Sequence, residues 1–456
     1  MLTVEGKNFQ VRAYENIVYV KRPIDTAYQV LNVYIPEEYF QGKSINGYTV
    51  ATAPIFFPNQ IGGYMPAKPA TTSGRGFGPP GSSQPSTVTV ALSKGYVVAS
   101  AGARGRTTKD GSGRFTGKAP AAIVDLKAAV RYLKYNDKLM PGNANKIISN
   151  GTSAGGAMST LLGATGNNKD YEPYLKALGA ASAADDIFAV SAYAPITNLE
   201  HADMAYEWQF NGVNDYKRID ISMLDYKVQR KEVAGTLTES EREVSDKLNA
   251  QFPAYLNSLG LKDENGKKLT LDAKGNGNFK ELVKSYVIAS AQKALSAGKD
   301  LTSVAWLTIK DGKVTEMDFE GYVKYMERQK SPPAFDALNL SSGENQEFGT
   351  ATIDKQHFTS FAMENSSVKG TRASEQIVRM MNPMAYIGKA NTNTSKYWRI
   401  RHGTKDKDTG LAISVMLATL LQNKGYNVDI ELPWDRPHSG DYDLNELFSW
   451  IESITR

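Results

Sequence analysis

The chain has 456 residues, 41% of them hydrophobic and 22% charged, and a formal net charge of +5. This composition is typical of a globular protein with one large domain and an insertion, and so small a net charge argues against nucleic-acid binding. The absence of cysteine excludes disulfides, thiolate nucleophiles and cysteine-ligated metals.

The sequence contains no run of about 18 apolar residues and no signal-like apolar core at its N-terminus. We therefore expect no contact with a membrane. The localisation stays open between a cytoplasmic protein and a secreted protein whose signal peptide has been removed. The oligomeric state is not indicated by any feature of the sequence, and no cofactor is expected.

Short apolar runs bounded by Pro, Gly or Asn predict a series of strands in the first part of the chain. They cover residues 16–20, 30–36, 50–57, 96–100, 147–150 and 187–192. Apolar residues recur at helical spacing over residues 122–133. Strands and helices that alternate in this way predict an α/β fold with a doubly wound, mostly parallel sheet. A stretch rich in Gly, Pro and Ser, residues 71–86, predicts a long surface loop.

The alternation stops over residues 198–382, where the pattern is mainly helical. Thr238 and Glu241 form a capping box ahead of an amphipathic helix, and residues 279–295 predict a second such helix. The turn at residues 311–312 predicts a small hairpin. We interpret this segment as a lid domain inserted into the sheet.

The regular order resumes after the insertion. A strand, a helix, a second strand and a last helix are predicted over residues 397–401, 411–421, 428–432 and 444–451. We therefore predict a catalytic domain of residues 1–197 and 383–456, with the lid domain of residues 198–382 between its two parts.

The most informative stretch is a Gly-x-Ser-x-Gly motif, residues 151–155, that directly follows the apolar strand 147–150 and begins a helix. Such a turn, a nucleophile elbow, presents a serine hydroxyl on a strained backbone, and the motif glycines leave room for it. The small residues that follow allow the helix to pack closely under the sheet. We predict that Ser153 is the nucleophile of an α/β-hydrolase.

An α/β-hydrolase places its acid and its histidine after later strands, in the order Ser, Asp, His. Of the four histidines, His438 is the one that follows the last predicted strand. We predict that it takes the Ser153 proton and returns it to the leaving alcohol. Asp406, at the first turn after strand 397–401, is the favoured acid, and Asp408 is the alternative.

A tetrahedral intermediate also needs backbone N–H donors. Ala154, the residue after the nucleophile, supplies one, and the Gly62-Gly63 loop after strand 50–57 supplies the other, with Gly63 preferred. His402 is interpreted as a buried structural residue. No pair of histidines has metal-ligand spacing, so no catalytic metal is predicted.

Three longer stretches carry a family resemblance. They are the elbow Gly-Thr-Ser-Ala-Gly-Gly at 151–156, Asn-Leu-Glu-His-Ala-Asp-Met-Ala-Tyr-Glu-Trp-Gln-Phe-Asn-Gly at 198–212, and Pro-Trp-x-x-Pro-His-Ser-Gly-Asp-Tyr-Asp at 433–443. Together they closely resemble the bacterial tannases (tannin acyl hydrolases), over nearly the whole chain. The resemblance implies a serine esterase that cleaves galloyl esters and depsides to gallic acid, with Ser153, Asp406 and His438 as its triad.

The resemblance also implies how the galloyl ring is held. In this family a lysine and a glutamate of the lid, with an aspartate just after the triad acid, bind the three ring hydroxyls. Lys330, Glu344 and Asp408 stand at the matching places. An ammonium beside two carboxylates suits adjacent phenols, which both donate and accept hydrogen bonds. We expect a small-molecule galloyl ester as the substrate.

Other functions remain open from the sequence. A carboxylesterase for feruloyl or chlorogenic esters would share the triad and differ in its ring pocket. A serine peptidase of the same fold would cleave a peptide amide through Ser153. A binding protein would hold the ligand without turnover.

Overall fold

The structure is a computed structural model that describes residues 1–4, 6–73, 85–224 and 227–456. Most of the predicted Gly/Pro/Ser-rich loop, residues 74–84, lies outside the described residues. The strands are β1 (Leu2–Val4), β2 (Lys7–Phe9), β3 (Val11–Val18), β4 (Val30–Pro36), β5 (Pro54–Pro58), β6 (Val97–Ala101), β7 (Asn143–Thr152), β8 (Ala189–Tyr193), β9 (Asp215–Leu224), β10 (Lys227–Thr236), β11 (Leu307–Lys310), β12 (Lys313–Met317), β13 (Tyr397–Arg401) and β14 (Asn427–Glu431).

Helices form most of the remaining regular structure of the described residues. They are α1 (Thr87–Ser93), α2 (Ala121–Tyr135), α3 (Ala154–Ala164), α4 (Glu172–Leu178), α5 (Leu199–Phe210), α6 (Glu239–Ser258), α7 (Asn278–Ser296), α8 (Phe319–Met326), α9 (Gly343–Glu347), α10 (Ser360–Glu364), α11 (Glu375–Met380), α12 (Leu411–Asn423) and α13 (Leu444–Thr455). None of the described helices is long and apolar enough to cross a membrane.

One eight-stranded sheet organises the molecule, in the order β3-β4-β6-β5-β7-β8-β13-β14. From β6 to β14 in that order, all neighbours pair in parallel, whereas β3 and β4 form an antiparallel edge. The carboxyl ends of β5, β7, β8 and β13 therefore meet at one edge of the sheet, where such folds place their sites. This architecture confirms the predicted α/β-hydrolase class with a large insertion between β8 and β13.

Most predicted elements are present with shifted ends. Residues 122–133 lie within α2, and the predicted strand 50–57 begins only at Pro54. The capping box is formed as expected, because Thr238 N donates to Glu241 Oε2 and Glu241 N donates to Thr238 Oγ1. The hairpin around residues 311–312 is β11 and β12.

The segment 198–382, which was predicted to be mainly helical, also contains irregular stretches and one unpredicted pair of strands. Strands β9 and β10 form an antiparallel ribbon in which Asp215 pairs with Thr236. The alternation of Ile219, Ile221 and Met223 with polar residues is a period-two signal that could have predicted it. The ribbon was not predicted because the segments on either side of it have a strongly helical pattern.

Aromatic packing joins the helices of the insertion, and it is continuous with the core around the sheet. The Trp208 ring on α5 lies 5.2, 5.9 and 5.6 Å from the rings of Phe252, Phe279 and Phe319, which belong to α6, α7 and α8. Its indole Nε1–H donates to Gly275 O at 3.0 Å, so the buried ring leaves no polar atom unpaired. Burying such rings supplies much of the apolar contact that holds these helices together.

Candidate active site

Ser153 lies at the sharp turn between β7 and α3. Its φ of 61° and ψ of −124° are unusual for a residue with a side chain, and such strain persists only where neighbouring contacts hold it. Here Ser153 N donates to Tyr193 O at 3.0 Å, and Ser153 O accepts from Ile196 N at 3.2 Å. The turn therefore has the geometry of a nucleophile elbow, with the Ser153 side chain at a partly exposed position.

The motif glycine at 155 is required by a close approach of the loop after β5. A Cβ there would lie 2.6 Å from Asn59 Oδ1 and 2.7 Å from Ile61 O, closer than real side chains come. Asn59 Nδ2 also donates to Gly155 O at 3.0 Å. These contacts bring the Gly62-Gly63 loop, which directly follows Ile61, beside the elbow.

The loop after β14 reaches the same elbow. Asn150 Nδ2 on β7 donates to Asp441 Oδ1 at 2.9 Å, and Gly440 lies so close to Thr152 that a Cβ at 440 would overlap the Thr152 hydroxyl. His438, two residues before Gly440, is thereby held at the carboxyl end of the strand that carries the candidate nucleophile.

The two candidate acids lie at different distances from the imidazole. His438 Nδ1–H donates to Asp406 Oδ2 at 2.8 Å, whereas Asp408 Oδ2 lies 3.6 Å from the same nitrogen. Asp406 is fully buried, and Asp408 N donates to its other oxygen at 3.0 Å. The geometry thus favours Asp406 as the residue that orients His438, with Asp408 as a nearby second charge.

The electrostatic environment of His438 and Asp406 favours the charged form of both side chains. Burial lowers the pKa of His438, but the charges of Asp406 and Asp408 more than offset it and raise the pKa to about 9. Burial raises the pKa of Asp406, and the nearby His438 and His402 bring it below its usual value. An imidazolium stabilised in this way suits a group that must hold a proton during the reaction.

His402 is fully buried at the end of β13. Its Nδ1 forms a 2.8 Å hydrogen bond with Ser414 Oγ of α12, and its Nε2 lies 3.8 Å from Asp406 Oδ2. Burial lowers the pKa of His402. It therefore packs behind the acid as a buried ring, which agrees with its predicted structural position.

The two predicted oxyanion donors, Ala154 and Gly63, lie at the elbow and in the loop packed against it. Ala154 begins α3, so its N–H is one of the first-turn donors that lack an acceptor within the helix. Gly62 O accepts from Met65 N at 3.0 Å around Gly63 and Tyr64, whose φ values of 54° and 56° are those that a type I′ turn requires. This tight turn limits how Gly63 N–H can point.

Lys330 and Asp408 lie together beside the histidine. Lys330 Nζ is 3.9 Å from Asp408 Oδ1 and 4.1 Å from the centre of the Phe335 ring. Gln329 Nε2 donates to Asp408 Oδ1 at 2.7 Å, and the backbone N–H of Lys330 donates to the Tyr206 hydroxyl at 3.1 Å. The segment that carries the lysine is therefore attached to the loop that carries the aspartate.

Glu344, the third predicted ring-binding residue, lies near the turn at Gly63 and Tyr64. It lies half-buried on α9, and its charge helps burial raise the pKa of Tyr64, a residue of the type I′ turn. In the described part of the chain, it forms no hydrogen bond with Lys330 or Asp408. The structure thus brings Lys330 and Asp408 together and places Glu344 near Tyr64 of the turn.

Four residues of this region were not singled out from the sequence: Asn59, Arg106, Gln329 and Asp441. Arg106 Nε donates to Gly63 O at 2.8 Å, and the other three make the contacts described above. Arg106 lies in the basic Arg-Gly-Arg loop after β6, and Asp441 lies in the stretch 433–443 that carries the family resemblance. Their roles depend on contacts between distant segments.

One cluster in the described residues has the composition of a metal site. Ligand atoms of Asp406, Asp408 and His438 all lie within 4.8 Å of one another. However, His438 Nδ1 is already engaged with Asp406, which is the arrangement of a catalytic acid and base. The expectation of no catalytic metal stays a prediction.

Comparisons with known proteins identify the family. The family model BD-FAE matches residues 80–239, and no curated protein matches the chain. Tannase from Lactobacillus plantarum is 48% identical with a TM-score of 0.95, and Fusobacterium nucleatum tannase is 52% identical with a TM-score of 0.94; each match covers 100% of this chain and 97% of the other. A tannin acyl hydrolase solved in complex with ethyl gallate is 48% identical with a TM-score of 0.93, over 100% of this chain and 96% of the other. Full-length identity at this level shows that the chain belongs to the bacterial tannases, ester hydrolases of the α/β-hydrolase fold.

Proposed function

We propose that the chain hydrolyses galloyl ester and depside bonds and releases gallic acid through an acyl-enzyme on Ser153. Ser153 Oγ attacks the ester carbonyl while His438 Nε2 takes its proton. His438 then gives the proton to the leaving alcohol, and Asp406 orients the ring through Nδ1. Water repeats the sequence on the acyl-enzyme, which frees the acid and restores the serine.

The oxyanion is held by two backbone amides in this proposal. Ala154 N–H at the start of α3 and Gly63 N–H in the type I′ turn lie on segments that Asn59 ties together. Such donors are fixed before the reaction, so they stabilise the developing negative charge without reorganisation.

The ring hydroxyls are bound by Lys330, Asp408 and Glu344. The ammonium donates to phenol oxygens and the two carboxylates accept from phenol hydrogens, so a ring without hydroxyls would leave charged groups unpaired. Residues 198–382 act as the lid domain that supplies two of these three residues. The relative bound to ethyl gallate supports this class of substrate.

A single observation carries the proposal. His438 donates to buried Asp406 at 2.8 Å, and the loop that carries His438 packs against the strained Ser153 elbow. The whole chain is similar to tannases, which supports the same assignment. A feruloyl or chlorogenate esterase is the second candidate, because it would use the same three residues.

The test compares methyl gallate, methyl ferulate and methyl benzoate. We expect selective turnover of the gallate, its abolition in Ser153→Ala and its weakening in Lys330→Ala. Equal or faster turnover of the ferulate would support the second candidate and refute the galloyl assignment. Cleavage of none of the esters would refute both.

A further inference from the structure

Arg106 joins the type I′ turn to helix α9 of the insertion. Its backbone N–H donates to Tyr64 O at 2.9 Å, and its side-chain Nε donates to Gly63 O at 2.8 Å. Its Nη1 donates to the Gln346 side chain, and α9 begins so close by that a Cβ at Gly343 would lie 3.2 Å from the guanidinium carbon. One side chain thus contacts both the turn and the helix that carries Glu344.

The turn needs such a restraint. Tyr64 has a positive φ of 56°, a conformation that is strained for a residue with a large side chain. Rotation of the peptide between Gly63 and Tyr64 would relieve this strain and would also move Gly63. Arg106 opposes that rotation, because its side chain donates to Gly63 O in that peptide and its backbone N–H donates to Tyr64 O. The Gly63 N–H lies in the preceding peptide of the same turn, so its direction depends on the turn that Arg106 restrains.

The other end of the link is firmly anchored. Gln346 Nε2 donates to Asp354 Oδ1 at 2.9 Å. Lys118 Nζ donates to Gln346 O at 2.8 Å and to Asp354 Oδ1 at 2.9 Å. Because these contacts fix the Gln346 side chain on α9, its hydrogen bond with the Arg106 guanidinium fixes the distance between α9 and the turn.

We propose that Arg106 is a positioning residue that sets the oxyanion turn and couples it to the ring-binding helix α9. The inference rests on the proposed function, in which Gly63 donates to the oxyanion and Glu344 binds the ring. A galloyl ring bound at Glu344 would then steady the same turn that stabilises the transition state. Arg106 itself touches neither the ester nor the ring in this role.

The first test measures Arg106→Met on methyl gallate and on p-nitrophenyl acetate, which lacks ring hydroxyls. Loss of a full oxyanion donor lowers kcat by about 10²–10³-fold, so we expect a misplaced donor to lower kcat about 10–100-fold on both esters. KM for p-nitrophenyl acetate should change by less than about threefold, because that ester does not use the ring site. Arg106→Lys should recover little, since an ammonium lacks the planar fork that reaches both partners.

The controls separate positioning from general damage. Arg12→Met removes an exposed arginine that pairs with Glu37 on the surface, and it should leave both kcat values unchanged. Thermal unfolding of each variant shows whether the fold is kept. A folded Arg106→Met that retains the wild-type kcat on both esters would overturn the proposal.

The second test addresses the coupling. We expect Gln346→Leu to lower kcat on methyl gallate about three- to tenfold, and the double variant with Arg106→Met to be no slower than Arg106→Met alone. Losses that multiply would show two independent effects and would overturn the coupling. If the wild type cleaves p-nitrophenyl acetate but not methyl gallate, the galloyl assignment fails. In that case kcat of Arg106→Met on p-nitrophenyl acetate still tests whether Arg106 positions the turn.

Discussion

The candidate triad and the candidate ring-binding residues are built in different ways. Ser153, Asp406 and His438 follow strands of one sheet, and their loops are packed against each other by short contacts such as that between Gly440 and Thr152. Lys330 lies on an irregular segment of the insertion and Glu344 on the short helix α9, and both segments are connected to the catalytic loops by side chains such as Gln329 and Arg106. In the proposed function, attack on the ester thus belongs to loops packed on the sheet, and choice of substrate depends mainly on the insertion.

The largest effect is expected at the elbow. Ser153→Ala removes the nucleophile, so kcat on methyl gallate should fall by about 10⁴–10⁶-fold. Binding of gallate, measured by calorimetry, should change little, because the ring-binding residues remain. Substantial turnover by the purified variant would contradict the assignment of Ser153.

The two aspartates provide the next comparison. Asp406→Asn should lower kcat about 10⁴-fold on methyl gallate and on p-nitrophenyl acetate alike, because the imidazole loses the partner that orients it. Asp408→Asn should lower activity mainly on the gallate. If Asp408→Asn proves the more damaging change on p-nitrophenyl acetate, the roles of the two residues are reversed.

The ring-binding residues should affect only substrates with ring hydroxyls. Lys330→Met and Glu344→Gln should each lower kcat/KM on methyl gallate by about 10–100-fold, since one charged hydrogen bond is lost. The same variants should keep the wild-type rate on p-nitrophenyl acetate. Lys293→Met and Glu320→Gln, which change exposed residues elsewhere in the insertion, serve as matched controls. Equal losses on both esters would place Lys330 and Glu344 with the triad instead.

The smallest expected effect concerns pH. His438 must be neutral to accept the serine proton, and its pKa of about 9 predicts that kcat/KM on p-nitrophenyl acetate rises with pH up to about that value. Asp408→Asn removes a negative charge near the imidazole, so it lowers this pKa and moves the rise to lower pH by about one unit. A profile that shifts upward, or does not shift, would contradict the influence of Asp408 on the base.

Local signals explain what could be predicted. The Gly-x-Ser-x-Gly motif, the apolar runs and the capping box at Thr238 depend on neighbours in the chain, so the elbow and the longest helices were predicted without any tertiary information. His438 followed from the fold class and from the scarcity of histidine. The β9–β10 ribbon was missed although its alternation was present.

The sequence by itself determined which residues have the right chemistry and which strand ends they follow, since backbone conformation and apolar period are local properties. Only the tertiary structure decided the order of the strands, the 2.8 and 3.6 Å distances that distinguish Asp406 from Asp408, and the approach of Arg106 to Gly63. Those features depend on contacts between segments far apart in the chain, and a sequence contains no distance between such segments until the sheet has been assembled.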